Sequence, residues 1–371
     1  MTPTPAAGRF LQRLRAAWLL LTCLLAGQPM VAAAQTPAPE PYKIVTASER
    51  GTYIQIGRDL ARLVAPDAGL ELQVLPSAGS AENVQRLRYE PGVKFALVQS
   101  DVYQAYLDLA ASGNPAAATL IRPLRLIMPL YNEEIYFVVR ADSPLQFVHE
   151  IRDARINAGP VGSGTALTTS TLYRAMFDAP LPEQATSFAS NEDALVRLIG
   201  DRSVDVVVII AGQPAKLLAD MKPEARQYTR LLKFDSEAPA SQAALKTYFP
   251  ATVRAASYPN LLAEDVPALA VKALLVTYDF NLQATRAHLQ RFSRALCQNF
   301  ETLQSQGHPK WRETELALPE LGRGWLYYPP AARELRGCTA AAGSPAGAAG
   351  VRRRTAPAAC SQQHRLLGLC G

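Results

Sequence analysis

From Glu40 onward, short β-branched runs alternate with polar loops and with apolar positions at helical spacing. Lys43–Thr46 predicts a strand, followed by the polar stretch from Ala47 to Tyr53. A helix with Ile56, Leu60, Leu63 and Val64 at i, i+4, i+7 and i+8 comes next. Leu70–Leu75 alternates as a strand and ends in Pro76-Ser77-Ala78-Gly79-Ser80, where Ser80 is expected to cap a helix carrying Val84 and Leu87. Phe95–Val98 predicts a buried strand, followed by Gln99-Ser100-Asp101 and a helix with Val102, Ala105, Tyr106 and Leu109. Three strand–loop–helix units in succession predict parallel strands joined by right-handed crossovers.

The rhythm then changes. Leu124–Tyr131 and Ile135–Arg140 predict two strands, parted by Asn132-Glu133-Glu134 in a hinge, where Glu133 and Glu134 could serve as acids but a solvated turn is expected. Arg155–Ala158 leads into Gly159-Pro160-Val161-Gly162-Ser163-Gly164-Thr165 and a helix through Leu172 and Met176. Thr186–Phe188 leads to Ser190, the expected cap of a helix with Leu195, Leu198 and Ile199 that stops at Gly200. Val204–Ile210 predicts a strand, and Ala211-Gly212-Gln213-Pro214 follows it, with Pro214 suited to a first helical turn. Leu231–Phe234 predicts a further strand and Thr252–Ala256 the return crossing. From Val266 the pattern reads as mostly helical, including Leu269–Leu275 and His288–Phe300. An α/β fold of two doubly wound lobes joined by hinge crossings is expected. Residues 41–140 and 240–338 would form the first lobe and residues 141–239 the second. In open α/β sheets ligands bind beyond the carboxyl ends of the strands, so the small polar loops would face a cleft.

Charge changes the picture only at the ends. The chain of 371 residues carries a net +6, with Arg9, Arg13 and Arg15 in residues 1–34 and Arg352, Arg353, Arg354 and Arg365 in residues 341–371. Neither end holds an acid, which leaves −1 for the body and excludes a globally basic nucleic-acid binder. Ala16–Ala26 is an apolar core of 11 residues behind three arginines and ahead of Ala32-Ala33-Ala34. That order predicts a cleavable secretory signal over residues 1–34 and a periplasmic product. The Ala/Gly/Pro/Arg-rich stretch 341–371 has no hydrophobic periodicity and is expected to be disordered.

Gly159–Thr165 is the sharpest chemical feature. Its glycines permit a tight turn, Ser163 and Thr165 add hydroxyls, and the following helix offers unpaired N–H groups, a combination suited to a carboxylate. A glycine-rich helix start without a ligand fits the same residues. A phosphate-binding P-loop fails because Thr165 stands where a lysine is needed, and a hydrolase elbow fails because position 161 is Val. His149, His288, His308 and His364 lack the spacing of metal ligands on one helix face, and no cofactor is expected. Tyr131 ends a strand at the crossing and is expected near a ligand. Cys297 and Cys338 could close a loop of about 40 residues as a disulfide or stand as two unrelated thiols.

The chain resembles the TAXI family, the extracytoplasmic solute-binding proteins of tripartite (TRAP-type) transporters. The resemblance rests on Gly51-Thr52-Tyr53 with Ile56-Gly57, Gly79-Ser80-Ala81-Glu82-Asn83, and Phe95-Ala96-Leu97-Val98-Gln99-Ser100-Asp101. Leu130-Tyr131, Val138-Val139-Arg140-Ala141-Asp142-Ser143, Gly159–Thr165 and Ala211-Gly212-Gln213-Pro214-Ala215 follow in order, from about Tyr42 to Pro330. It implies a type II periplasmic-binding-protein fold holding a glutamate-like, glutamine-like or other small organic acid between lobes, and delivery to an ion-gradient-driven permease. By motif, Thr52, Tyr53, Gly79, Ser80, Gln99, Ser100 and Asp101 would line the first lobe, Tyr131 the crossing, and Ser163, Gly164, Thr165 and Gly212 the second. Arg50, beside Glu49, departs from the small residue usual before Gly-Thr-Tyr and could reach a second carboxylate. The expected product is a monomeric receptor and not an enzyme. An enzyme on the same fold, or a receptor presenting loaded ligand to a membrane sensor, are the other readings. An enzyme would need a positioned acid–base or nucleophile–base pair, and none is visible beyond Asp101.

Overall fold

A computed structural model describes residues 41–321 and 324–342. The expected export signal lies outside these residues. Ten strands form one sheet: β1 Tyr42–Val45, β2 Leu72–Leu75, β3 Val93–Gln99, β4 Leu124–Arg140, β5 Ile156–Asn157, β6 Thr186–Ser187, β7 Val206–Ala211, β8 Thr229–Leu231, β9 Phe249–Val253 and β10 Val266–Tyr278. The helices that matter for the site are α1 Thr52–Leu63, α2 Ser80–Tyr89, α3 Ser100–Ala111, α4 Pro115–Ile121, α5 Gly164–Phe177 and α6 Asn191–Ile199. Near the C-terminal end come α7 Gln283–Gln298 and α8 Pro329–Ala342.

The sheet runs β2-β1-β3-β10-β4-β7-β5-β6, with β8 beside β4 and β9 beside β10. The strands β1, β2 and β3 are mutually parallel, as are β5, β6 and β7, so the strand–loop–helix pattern has the predicted consequence twice. Between the two sets lie β4 and β10, antiparallel to each other from Leu269↔Ile135 to Tyr278↔Leu124. One end of this pair faces β3, where Ala273 is level with Gln99. The other faces β7, where Glu134 is level with Ala211. Two long strands therefore join two α/β halves.

Two expectations about these crossings need correction. Asn132-Glu133-Glu134 is not a solvated turn; it lies inside one 17-residue strand, with both acids 3% exposed. The charges look like a break in sequence because nothing local reveals that tertiary partners await them. The run Val266–Tyr278, read as helical from its Ala and Leu content, is the second crossing strand. A continuous apolar run does not distinguish a buried helix from a strand covered on both faces, and all but Pro267 and Lys272 of this one are buried. Thr252–Ala256 only overlaps β9, a strand that pairs with the end of β10.

Each half buries apolar side chains on both faces of its strands. Ile44, Phe95, Leu97, Leu275 and Phe292 pack on one face of the first half and Val45, Val98, Val102 and Val276 on the other. In the second half Phe137, Ile156, Leu172 and Val208 oppose Tyr136, Leu195, Val207 and Ile209. Ala244, Tyr248, Val253, Tyr258 and Leu262 also pack into the second half, so the chain returns at β10 rather than at residue 240. Fully burying one such side chain contributes about 1.5–3 kcal/mol. Cys297 in α7 and Cys338 in α8 are joined, with Cα atoms 6.2 Å apart. Helix α8 runs two residues into the tail expected to be disordered, and residues 343–371 lie outside the described chain.

Local signals explain several helix ends. Ser163 and Ser190 accept from the N–H groups of Ala166 and Asp193 at 3.0 and 3.1 Å, capping α5 and α6, and α6 stops at Gly200 as predicted. Ser80 does not cap α2. It is the first helical residue after Gly79, and the loop N–H groups of Ala78 and Gly79 are taken by Glu82 Oε2 and Ser77 Oγ. Pro214 lies one residue before the cap Ala215 of a short helix that starts at Lys216, not in its first turn.

Candidate functional site

Parallel strands send every following helix start to the same edge, and the two halves turn these edges toward each other. The N-cap or first-turn residues of five helices line one cavity of about 110 Å³: Gly51, Thr52 and Tyr53 of α1, Gly79 and Ser80 of α2, Gln99 before α3, Ser163, Gly164 and Thr165 of α5, and Ser190, Asn191 and Glu192 of α6. Each brings the positive end of a helix dipole to the cavity, which favours negative charge there.

Glycine lets the two rims approach. Gly79 has φ 129°, and a Cβ there would stand 3.2 Å from the backbone nitrogen of Gly164. A Cβ on Gly164 would in turn overlap the Gln99 carboxamide and reach to 2.8 Å from Ser80 Oγ. Hydrogen bonds tie the halves around the cavity. Thr52 Oγ1 donates to the Gly212 carbonyl at 2.8 Å, and Glu82 N–H donates to the Gly162 carbonyl at 3.0 Å. At the mouth Arg50 pairs with Asp220 at 3.1 Å, both side chains partly exposed.

Of the residues singled out by sequence, Thr52, Tyr53, Gly79, Ser80, Gln99, Ser163, Gly164 and Thr165 line the cavity, while Ser100, Asp101, Tyr131 and Gly212 do not. Asp101 is a tie between halves. Its carboxylate accepts from Thr168 Oγ1 at 2.6 Å, Tyr248 OH at 3.1 Å and Val102 N–H at 2.9 Å, and burial raises its pKa against these bonds. Gly212 gives its carbonyl to Thr52, and a Cβ there would stand 2.9 Å from both Tyr131 and Lys310. Tyr131 packs behind the site, with Lys310 Nζ 5.9 Å from its ring centre.

Sequence reasoning set Glu133 in a solvated turn; it lines the cavity instead. Its Oε2 is buried without a hydrogen-bond partner among the described residues, as are the hydroxyls of Tyr53 and Tyr131. Burial pushes the Glu133 carboxyl up to about 8; the nearby Tyr53 hydroxyl pulls the other way, and the Glu134 charge pushes with burial. Burial, and then the charge of Glu133, raise both tyrosines well above the ordinary phenol range. An acidic pair flanked by strand-like, mostly apolar runs on both sides was the available signal. Glu134, next along the strand, points the other way into a network with Gln213 and Lys310. Lys310, fully buried, was also missed.

Among the described residues no group of three or more potential metal-binding side chains occurs, and no helix is long and apolar enough to cross a membrane. A family model described as the NMT1-like family matches residues 44–317. No curated protein matches the sequence. Several solved structures match at low identity. The arginine-, lysine-, histidine-binding protein ArtJ from Geobacillus stearothermophilus is 11% identical, over 72% of this chain and 94% of its own, with a TM-score of 0.42. The Candida albicans CA3427 gene product, described as having the generic periplasmic binding protein fold, is 11% identical over 84% and 92%, with a TM-score of 0.44. XAC2383 from Xanthomonas citri is 13% identical over 81% and 95%, with a TM-score of 0.43. Likeness at this distance says nothing of what this chain binds.

Proposed function

The chain belongs to the NMT1-like family, and from that premise we propose that it is an extracytoplasmic receptor for a small carboxylate-bearing solute. The solute is held between the two halves and handed to a membrane permease of the tripartite, ion-gradient-driven kind. The observation that carries this reading is the convergence of five helix starts on one small cavity between halves that touch around it. A carboxylate placed there meets helix starts and hydroxyls, with the Arg50 guanidinium also on the cavity wall. The volume of about 110 Å³ is small against the roughly 300–1,000 Å³ of sites for drug-sized ligands, which favours a small metabolite.

The energetics are adequate. Micromolar affinity requires about −8 kcal/mol, and spread over about ten heavy atoms that is about −0.8 kcal/mol each, within the limit for small ligands. The bonds Thr52–Gly212, Glu82–Gly162 and Asp101–Thr168 would part when the halves open to admit the solute and re-form as they close on it. Closure gives a permease a shape that differs between loaded and empty receptor. Binding rather than turnover is the reading taken, because Asp101, the candidate acid visible in the sequence, is spent on hydrogen bonds between halves.

Calorimetry of the purified protein against a panel of small mono- and dicarboxylates, with and without amino groups, tests this reading. Saturable binding of at least one member at micromolar concentration, with the compound recovered unchanged, is expected. Chemical conversion of the bound compound would contradict it, as would a panel in which no carboxylate binds.

A further inference from the structure

The edge of the first half farthest from the cavity is strongly basic. Strand β3 ends at Gln99 on the cavity wall and starts at Val93, about 20 Å away. The turns around that start form one surface. Asp279 N–H donates to the Pro123 carbonyl at 2.9 Å, Lys43 Nζ donates to the Pro91 carbonyl at 3.2 Å, and Lys94 Nζ lies 4.2 Å from the Phe280 ring centre. The start of α8 lies beside that of α7, where Pro330 and Arg333 share a depression with Asn281 and Arg286. Segments 41–43, 86–94, 112–125, 278–286 and 329–333, which build this edge, hold eight basic residues and two acids, in a body whose net charge is −1. Both acids are engaged: Glu90 pairs with Arg86 at 2.6 Å and Lys43 at 3.7 Å, and Asp279 with Arg125 at 2.9 Å. Arg88, Arg122, Arg286 and Arg333 are exposed and form no ion pair among the described residues.

We infer that this edge is a docking surface for an anionic phospholipid bilayer. The four arginines stand in pairs around two shallow depressions: Arg88 and Arg122 beside Asn114 and Thr119, and Arg286 and Arg333 beside Asn281 and Gln283. A guanidinium binds a phosphate through two parallel N–H···O bonds, so each hollow suits the phosphate of a lipid headgroup. On the same edge Tyr89, Leu109 and Leu282 are 66%, 46% and 73% exposed. Apolar and aromatic tips set among cations match a bilayer interface, which takes the tips into the headgroup boundary and leaves the charges at the phosphates. A nucleic acid offers phosphates too, but would leave Leu109 and Leu282 in water.

The contact is electrostatic and reversible. An arginine near an anionic bilayer gains roughly fivefold in affinity, and the gain fades within a Debye length, about 10 Å at 0.1 M salt and about 3 Å at 1 M. No described helix is long and apolar enough to span the bilayer, so the protein rests on it. The cavity opens at the opposite edge and stays in solvent while the basic edge is engaged. The contact therefore concentrates the protein at the membrane without covering the cavity. This inference goes beyond the solute reading and does not depend on it.

The test is co-sedimentation of the full chain with vesicles of phosphatidylcholine alone and of equal parts phosphatidylcholine and phosphatidylglycerol, at low and high salt. Two double variants, Arg88→Gln with Arg122→Gln and Arg286→Gln with Arg333→Gln, are compared with wild type, each checked for a cooperative melt. A control double variant, Arg174→Gln with Arg197→Gln, removes the same charge from exposed arginines of the second half. Wild type should bind the anionic vesicles at low salt, leave them at about 1 M salt and ignore the neutral ones. Each edge variant should bind roughly 25-fold more weakly, and the control should match wild type. No binding to anionic vesicles would overturn the inference. So would unchanged binding in both edge variants, which would assign the contact to another part of the chain such as the basic stretch 341–371, or an equal loss in the control, which would reduce it to net charge. Binding to duplex DNA without binding to vesicles would assign the edge to nucleic acid and overturn it as well.

Discussion

Glu133 and Glu134 are neighbours on one strand and occupy opposite situations: Glu134 accepts three hydrogen bonds, one from Lys310 Nζ at 2.7 Å, while Glu133 Oε2 accepts none. Alternation along β4 turns one acid into the network that joins the crossing strand to Gln213 and the Pro309–Glu313 turn. It turns the other into the cavity. The first ties the crossing strand to its neighbours and the second does not, so the two should respond differently to substitution.

Lys310→Met should destabilise the protein by about 3–5 kcal/mol, because it strands the buried Glu134 without its cation. The double variant Glu134→Gln, Lys310→Met should recover part of that loss. Urea unfolding of the wild type, the two single variants Lys310→Met and Glu134→Gln, and the double variant measures the coupling. Additive losses would mean that the two side chains do not act as a pair.

Glu133 should leave a signature in the pH dependence of stability of the ligand-free protein. Its folded pKa, about 8, lies above the ordinary value of 4.5, so its contribution is fully present below 4.5. As pH rises through this window the unfolded chain ionises and the folded one does not, and stability falls by up to about 1.4 kcal/mol per pH unit. Asp101 and Glu134, also raised, add to the fall. In Glu133→Gln the slope should be shallower by about one proton. An unchanged slope would show that Glu133 is already ionised in the empty protein.

Gly164→Ala should weaken ligand binding at least tenfold and leave the core intact, since the new Cβ overlaps the Gln99 carboxamide, which also lines the cavity. Leu172 and Met176 of the same helix keep their packing. Small-angle scattering would report a more open average shape if the two helix starts are forced apart. Wild-type affinity in this variant would mean that the close approach of Gly79 and Gly164 is not needed for binding.

The Cys297–Cys338 bond closes a loop of 41 residues between α7 and α8. On the chain-entropy account its reduction should cost about 4 kcal/mol. Comparison of melts with and without reductant measures this, and an unchanged midpoint would show the two helices to be held by packing alone.

Much of this was legible from local pattern. The parallel units, the cap at Ser190 and the glycine-rich start of α5 follow from spacing and turn chemistry, and these features position much of the cavity wall. What local pattern hid shares one cause. The second crossing strand at Val266–Tyr278 and the buried acids of β4 are defined by partners over a hundred residues away, such as Lys310 for Glu134. Asp101 carries the same lesson in reverse. Its place beside a helix start suggested ligand contact, yet Thr168 and Tyr248 claim it.

The central claim is that the cavity between the halves holds a small carboxylate. Native mass spectrometry of the protein purified from cells without added ligand addresses it most directly when wild type and Gly164→Ala are compared. The account predicts a retained small carboxylate in the wild type and its loss in the variant. Equal retention by both proteins, or a retained compound without a carboxylate, would contradict it.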